Sequence, residues 1–82
     1  MDKIDVLKRI CELFGEKVED FDNIRLEEIE ADCYTLHHGE RGLGGIIIGD
    51  DNTFLICGSI NPIDYYIEEF KKGKRDNINN EY

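Results

Sequence analysis

This chain of 82 residues is short of positive charge. Ten Lys and Arg stand against 19 Asp and Glu, a formal charge of −9. Such a balance repels phosphate backbones and anionic lipid, so direct binding to nucleic acid or to a membrane surface is not expected, and a basic protein partner is. Long apolar runs are missing too. The strongest, Ile46 to Ile48 and Phe54 to Cys57, fall far below the roughly 20 residues of a membrane helix. The opening Asp2, Lys3 and Asp5 do not resemble a signal peptide, and a cytoplasmic location is the expectation. Cys11, Cys33 and Cys57 are odd in number and form no CxxC pair, which excludes the common zinc and redox spacings. They read as buried free thiols in a reducing compartment.

Catalytic and ligand-binding signatures are equally sparse. The glycine-rich stretch Gly39 to Gly45 lacks Gly-Lys-Ser/Thr and precedes a strand instead of a helix, unlike a phosphate loop. Asp50-Asp51-Asn52 carries oxygen ligands but not the twelve-residue calcium loop with its distal glutamate. Ser59 is not flanked as in a nucleophile elbow. His37 and His38 are adjacent, so on a strand they leave on opposite faces and do not chelate one ion together. No cofactor, no metal and no catalytic residue is assigned, and a small enzyme using His37 or His38 is the least favoured reading.

What is present reads as one α+β domain over residues 1–73, with 74–82 a polar tail. Asp2 caps a first helix whose apolar positions Ile4, Leu7, Cys11 and Phe14, with Ile10 beside them, recur at helical spacing until Gly15. Residues 31–38 alternate as a strand, with an unclear inward face. Gly39 to Gly45 breaks the chain as a flexible connection, in which Gly44 and Gly45 permit an unusual backbone angle or a close approach. Two β-branched runs within 46–57 flank Asp50-Asp51-Asn52 as an antiparallel hairpin. A second helix follows, with Asn61 as N-cap, Pro62 at the first helical position, Ile63, Tyr66, Ile67 and Phe70 as the buried stripe, and Gly73 at the exit. The expected fold is therefore an N-terminal helix, a three-stranded antiparallel sheet and a C-terminal helix, with helices packed on one face.

Between the first helix and the first strand, residues 16–32 hold eight acids against two bases, −6 of the total −9. Phe21, Ile24, Leu26 and Ile29 fit neither helical nor strand period there, which leaves a loop, a short helix or an irregular edge strand open. The segment is either a solvated link or a face that meets a cationic partner. In the second case Glu19, Asp20, Asp22, Glu27, Glu28 and Glu30 are the contact residues. Tyr65, one step of the helix away from core-facing Tyr66, is a further candidate anchor.

The stretch from Gly44 to Phe70, with its glycine, apolar strand, polar turn, second strand ending in Gly58-Ser59 and Pro62-x-x-Tyr65-Tyr66 helix start, resembles the immunity protein 35 family of small bacterial proteins. Cys33 to Leu36 stands where that family has an aromatic strand. The resemblance implies a non-enzymatic protein that neutralises a cognate bacterial toxin by direct binding, and it carries over no catalytic residue. The alternative is a small structural or regulatory accessory protein, of phage or mobile-element type, that acts by self-association. Oligomeric state is not legible in the sequence.

Overall fold

Helix α1 (Lys3–Phe14) begins after Asp2, whose amide donates to the Asp5 carboxylate at 3.3 Å. It ends at Gly15, which takes a left-handed φ of 72° and returns its amide to the Cys11 carbonyl. The buried stripe is Val6, Leu7, Ile10 and Cys11. Ile4 and Phe14, expected in that stripe, are 42% and 40% exposed, because the core lies under the middle turns and both ends overhang it. The computed structural model describes residues 2–37 and 43–76.

The acidic segment resolves into a 3-10 turn (Val18–Asp20), strand β1 (Phe21–Leu26) and a second 3-10 turn (Glu27–Ile29). Strands β2 (Ala31–Leu36), β3 (Leu43–Gly49) and β4 (Phe54–Gly58) follow, and all four pair antiparallel in the order β1-β2-β3-β4. The sheet thus has four strands where three were expected. The added one is the edge strand that the irregular apolar spacing obscured. The β3–β4 hairpin turns through Asp50, Asp51 and Asn52 as anticipated, with Asn52 at φ 68° and the Gly49 amide bonded to the Thr53 carbonyl at 2.8 Å.

Helix α2 (Ile63–Lys71) starts one residue later than expected. Pro62 has an extended ψ of 158° and is itself the N-cap, so Asn61 lies outside the helix. At the exit, the Gly73 amide bonds to the Phe70 carbonyl at 3.0 Å and the Lys74 amide to the Glu69 carbonyl at 3.0 Å, with Gly73 at φ 96°. This is the paired closure that a left-handed glycine allows.

The helices do not share a face. Val6, Leu7, Ile10 and Cys11 of α1 pack with Tyr34, Leu36, Ile46, Ile48 and Phe54. Phe70 of α2, backed by Ile63, Tyr66 and Ile67, packs with Ala31, Cys33, Ile47, Leu55 and Cys57. Strand neighbours point to opposite faces, so the consecutive Ile46, Ile47 and Ile48, all with no exposed surface, feed the two cores in turn. β1 contributes one residue to each core, Phe21 to the α1 side and Leu26 to the α2 side. Their odd separation explains why no single period fitted the segment.

Gly44 and Gly45 lie within β3, not in a flexible connection before it. A register shift between Leu43 and Gly45 lets Leu43 join the α1-side core. The expected close approach is present: a Cβ on Gly45 would stand 2.6 Å from the Tyr34 carbonyl oxygen, and one on Gly44 would stand 2.8 Å from that of Gly58. Cys11, Cys33 and Cys57 are free and buried, and burial pushes their thiols up to about 11, about 11 and about 12. No described helix is long and apolar enough to cross a membrane.

Candidate functional site

The two edges of the sheet are treated differently. Along β4, the outward carbonyl of Phe54 and the outward amide of Ile56 are taken by the chain after α2. The Asp76 amide donates to the Phe54 carbonyl at 2.8 Å, and the Asp76 carboxylate accepts the Ile56 amide at 2.7 Å. Arg75 secures this return by donating to Thr53 Oγ1 at 2.9 Å and to the Phe70 carbonyl at 2.8 Å, with its guanidinium 3.4 Å from the centre of the Phe70 ring. Residues 74–76, assigned by composition to a polar tail, are therefore attached to the domain; residues 77–82 lie outside the described residues.

The β1 edge has no such cover among the described residues. The His37 amide bonds to the Asp20 carbonyl at 3.0 Å, and the Asp50 amide to the Glu30 carbonyl at 2.9 Å. These two bonds set the phase of the antiparallel ladder, in which inward and outward residues alternate. Asp22, Ile24 and Leu26 turn their backbone groups to β2, opposite Thr35, Cys33 and Ala31. The groups of Phe21, Asn23 and Arg25 point outward. The Phe21 amide is spent on the Val18 carbonyl, so the open edge offers the amides and carbonyls of Asn23 and Arg25 and the carbonyl of Phe21.

The predicted acidic residues flank this edge in two groups. Glu19 and Asp20 lie on the first 3-10 turn and Asp22 at the start of β1; Glu27 and Glu28 lie on the second 3-10 turn and Glu30 just beyond it. Asp20 is half-buried and the other five are exposed. Asp22 Oδ1 stands 2.9 Å from His37 Nε2, an exposed pair. Glu28 meets Lys71 of α2 at 3.2 Å. His38 lies outside the described residues. Tyr65 is elsewhere. Its exposed ring meets Tyr66 edge-on at 5.0 Å and shares a cleft with Leu55, Ile56, Lys74 and Asp76 beside the β4 edge, with β2 and β3 between it and the acids.

Arg25, the single base between the two acidic groups, is drawn out of the way. Its guanidinium grips Asp50 through two bonds of 2.7 and 3.0 Å, meets Asp32 at 3.1 Å and Glu27 at 3.2 Å, and shares Asp50 with Lys3 at 2.5 Å. Hydrogen bonds from Arg25 and Lys3 hold the Asp50 carboxyl well below the usual carboxylate range, and the Asp50 bond raises Lys3. This network ties the start of α1, the end of β1 and the β3–β4 turn. The distance in sequence between Lys3, Arg25, Asp32 and Asp50 hid it from sequence reasoning.

Beside the second acidic group, a cleft of about 410 Å³ is lined by Ile29, Glu30, Asp50, Asp51, Phe70 and Arg75 among others. Three carboxylates there face one guanidinium that is already engaged. Among the described residues, no set of His, Cys, Asp and Glu is arranged to hold a metal ion. Comparison of the chain with protein-family models, with curated proteins and with solved structures gives no match.

Proposed function

We propose that this protein is a non-enzymatic binding protein whose partner is a basic protein, in the manner of an immunity protein that neutralises a toxin by direct contact. The observation that carries the reading is the placement of the acids. Residues 19–30 hold six carboxylates against one base, and they flank an open sheet edge. Arg25, the one base, is held by Asp32, Asp50 and Glu27. Such a field raises the association rate of a cationic partner through long-range steering. Self-association through this edge is disfavoured by the same field. Antiparallel pairing of β1 with its own copy must set outward-facing residues opposite each other, so it centres on Asn23 or on Ile24; the first brings Glu19 opposite Glu27 and the second Asp20 opposite Glu28, and like charges so aligned oppose the pairing.

Affinity purification of the chain from its native cell, with the Glu27→Lys/Glu28→Lys double variant in parallel, tests the proposal. A single basic protein recovered by the wild type and reduced with the variant is the expected outcome. Recovery of the chain alone, or equal recovery of the partner by the variant at low salt, would overturn it.

A further inference from the structure

We infer that the β1 edge binds its partner by strand addition, taking an extended segment of a basic protein with cationic side chains at both ends. The inference rests on the reading above and adds the mode of contact and the form of the ligand. An uncovered edge strand is a template for another chain, and natural sheets ordinarily blunt it. Here one edge is blunted and the other is not. Asp76 takes the outward carbonyl of Phe54 and the outward amide of Ile56 on β4, whereas Asn23 and Arg25 on β1 keep their outward amides and carbonyls unused among the described residues.

Charge complementarity selects the occupant. The acids gather at the two ends of β1, with Asp20 and Glu27 seven residues apart, or about 23 Å along an extended chain at roughly 3.3 Å per residue. A bound strand that reaches both groups carries its Lys or Arg about seven residues apart, and its centre is short or β-branched where it passes Ile24, which is 52% exposed. Arg25 does not oppose it, since its guanidinium is committed to Asp50, Asp32 and Glu27. A second copy of this chain is disfavoured as the occupant, because either allowed self-pairing register brings like charges together, Glu19 with Glu27 or Asp20 with Glu28.

A labelled peptide of about nine residues, with paired lysines at both ends of an alternating Thr-Val centre, is the probe. We expect binding by anisotropy with slowed exchange of the Asn23 and Arg25 amides. Methylating alternate peptide nitrogens, which keeps the charge and removes the donors, is expected to weaken binding by about tenfold or more. Asn23→Pro should do the same with an unchanged circular dichroism spectrum, because the amide it removes faces outward and not into the ladder. If that variant misfolds, the methylated peptide on the wild-type protein still decides. Equal affinity of the two peptides, protection elsewhere than β1, or no binding of the parent peptide overturns strand addition. Undiminished binding by Glu27→Lys/Glu28→Lys at low salt instead overturns the basic-partner reading beneath it.

Discussion

Replacing Gly45 by alanine perturbs the centre of the sheet through one methyl group. The new Cβ would lie 2.6 Å from the Tyr34 carbonyl oxygen and 3.3 Å from the Thr35 Cα, whereas ordinary van der Waals contact begins near 3.4 Å. A gap of about 0.8 Å must therefore open. Both neighbours are backbone atoms of β2, directly across the ladder from Gly45, so no side chain can swing away to make room. Overpacking of this kind costs about 1–3 kcal/mol, and contact with backbone places it near the upper end. Reduced freedom of the unfolded chain returns about 0.4–1 kcal/mol, leaving a net loss of about 2 kcal/mol. A domain of this length holds on the order of 4–12 kcal/mol in total, and each kcal/mol moves Tm by roughly 4–8 °C. Thermal melts followed by circular dichroism should accordingly show Tm lowered by about 8–16 °C. Gly73→Ala is the comparison, since nothing lies within 4 Å of its Cβ and only its φ of 96° penalises the change. A Gly45→Ala melt at or above the wild-type temperature would refute the argument from backbone approach.

Two further outcomes follow from the polar contacts. Asp76→Ala removes the acceptor of the Ile56 amide and uncovers the β4 edge; a loss of about 1–2 kcal/mol in urea unfolding is expected, with concentration-dependent association, while Asp76→Asn keeps an acceptor oxygen and should recover most of the stability. Full stability of the alanine variant would show that the return of the chain at residue 76 does not hold the edge. Because Asp50 is held below its unfolded value, its network stabilises the fold above the ordinary carboxylate range near 3.9 and loses that contribution as pH falls through and below it. Lys3, raised by the same contact, adds a contribution that is present below about 10.4 and lost as pH rises through its folded value. The stability difference between wild type and Asp50→Asn should therefore be largest across neutral pH, decline progressively as pH falls below the ordinary carboxylate range, and shrink with salt; a pH-independent difference would contradict the assignment.

Local chemistry was the legible part of this chain. The caps of α1, the amphipathic stripe of α2 and the Asp50-Asp51-Asn52 turn each depend on neighbours within a few residues, and each forms close to where its residues point. The start of α2 shifted by one position because Pro62 suits both the cap and the first helical residue, and local preference separates the two weakly. Ile46-Ile47-Ile48 is a local signal for the two-sided core. Three consecutive buried β-branched residues on one strand demand cover on both faces, which a sheet with both helices on the same side does not supply. The acids of residues 16–32 were visible as charge, but their division into two groups around an open edge was not.

The sequence by itself determined the acidic balance, the turns and the helix ends, because these follow from composition and from contacts a few residues long. Only the tertiary structure decided that β1 is a strand, that its outer edge has no strand neighbour among the described residues, and that Asp76 bonds to the opposite edge. Each of these depends on pairing between residues far apart in the chain, and strand pairing leaves no periodic mark on an edge strand that gives Phe21 to one core and Leu26 to the other. Arg25 makes the same point for the site. Its guanidinium is engaged by Asp32 and Asp50, which the folding of β2 and the hairpin brings within hydrogen-bond distance.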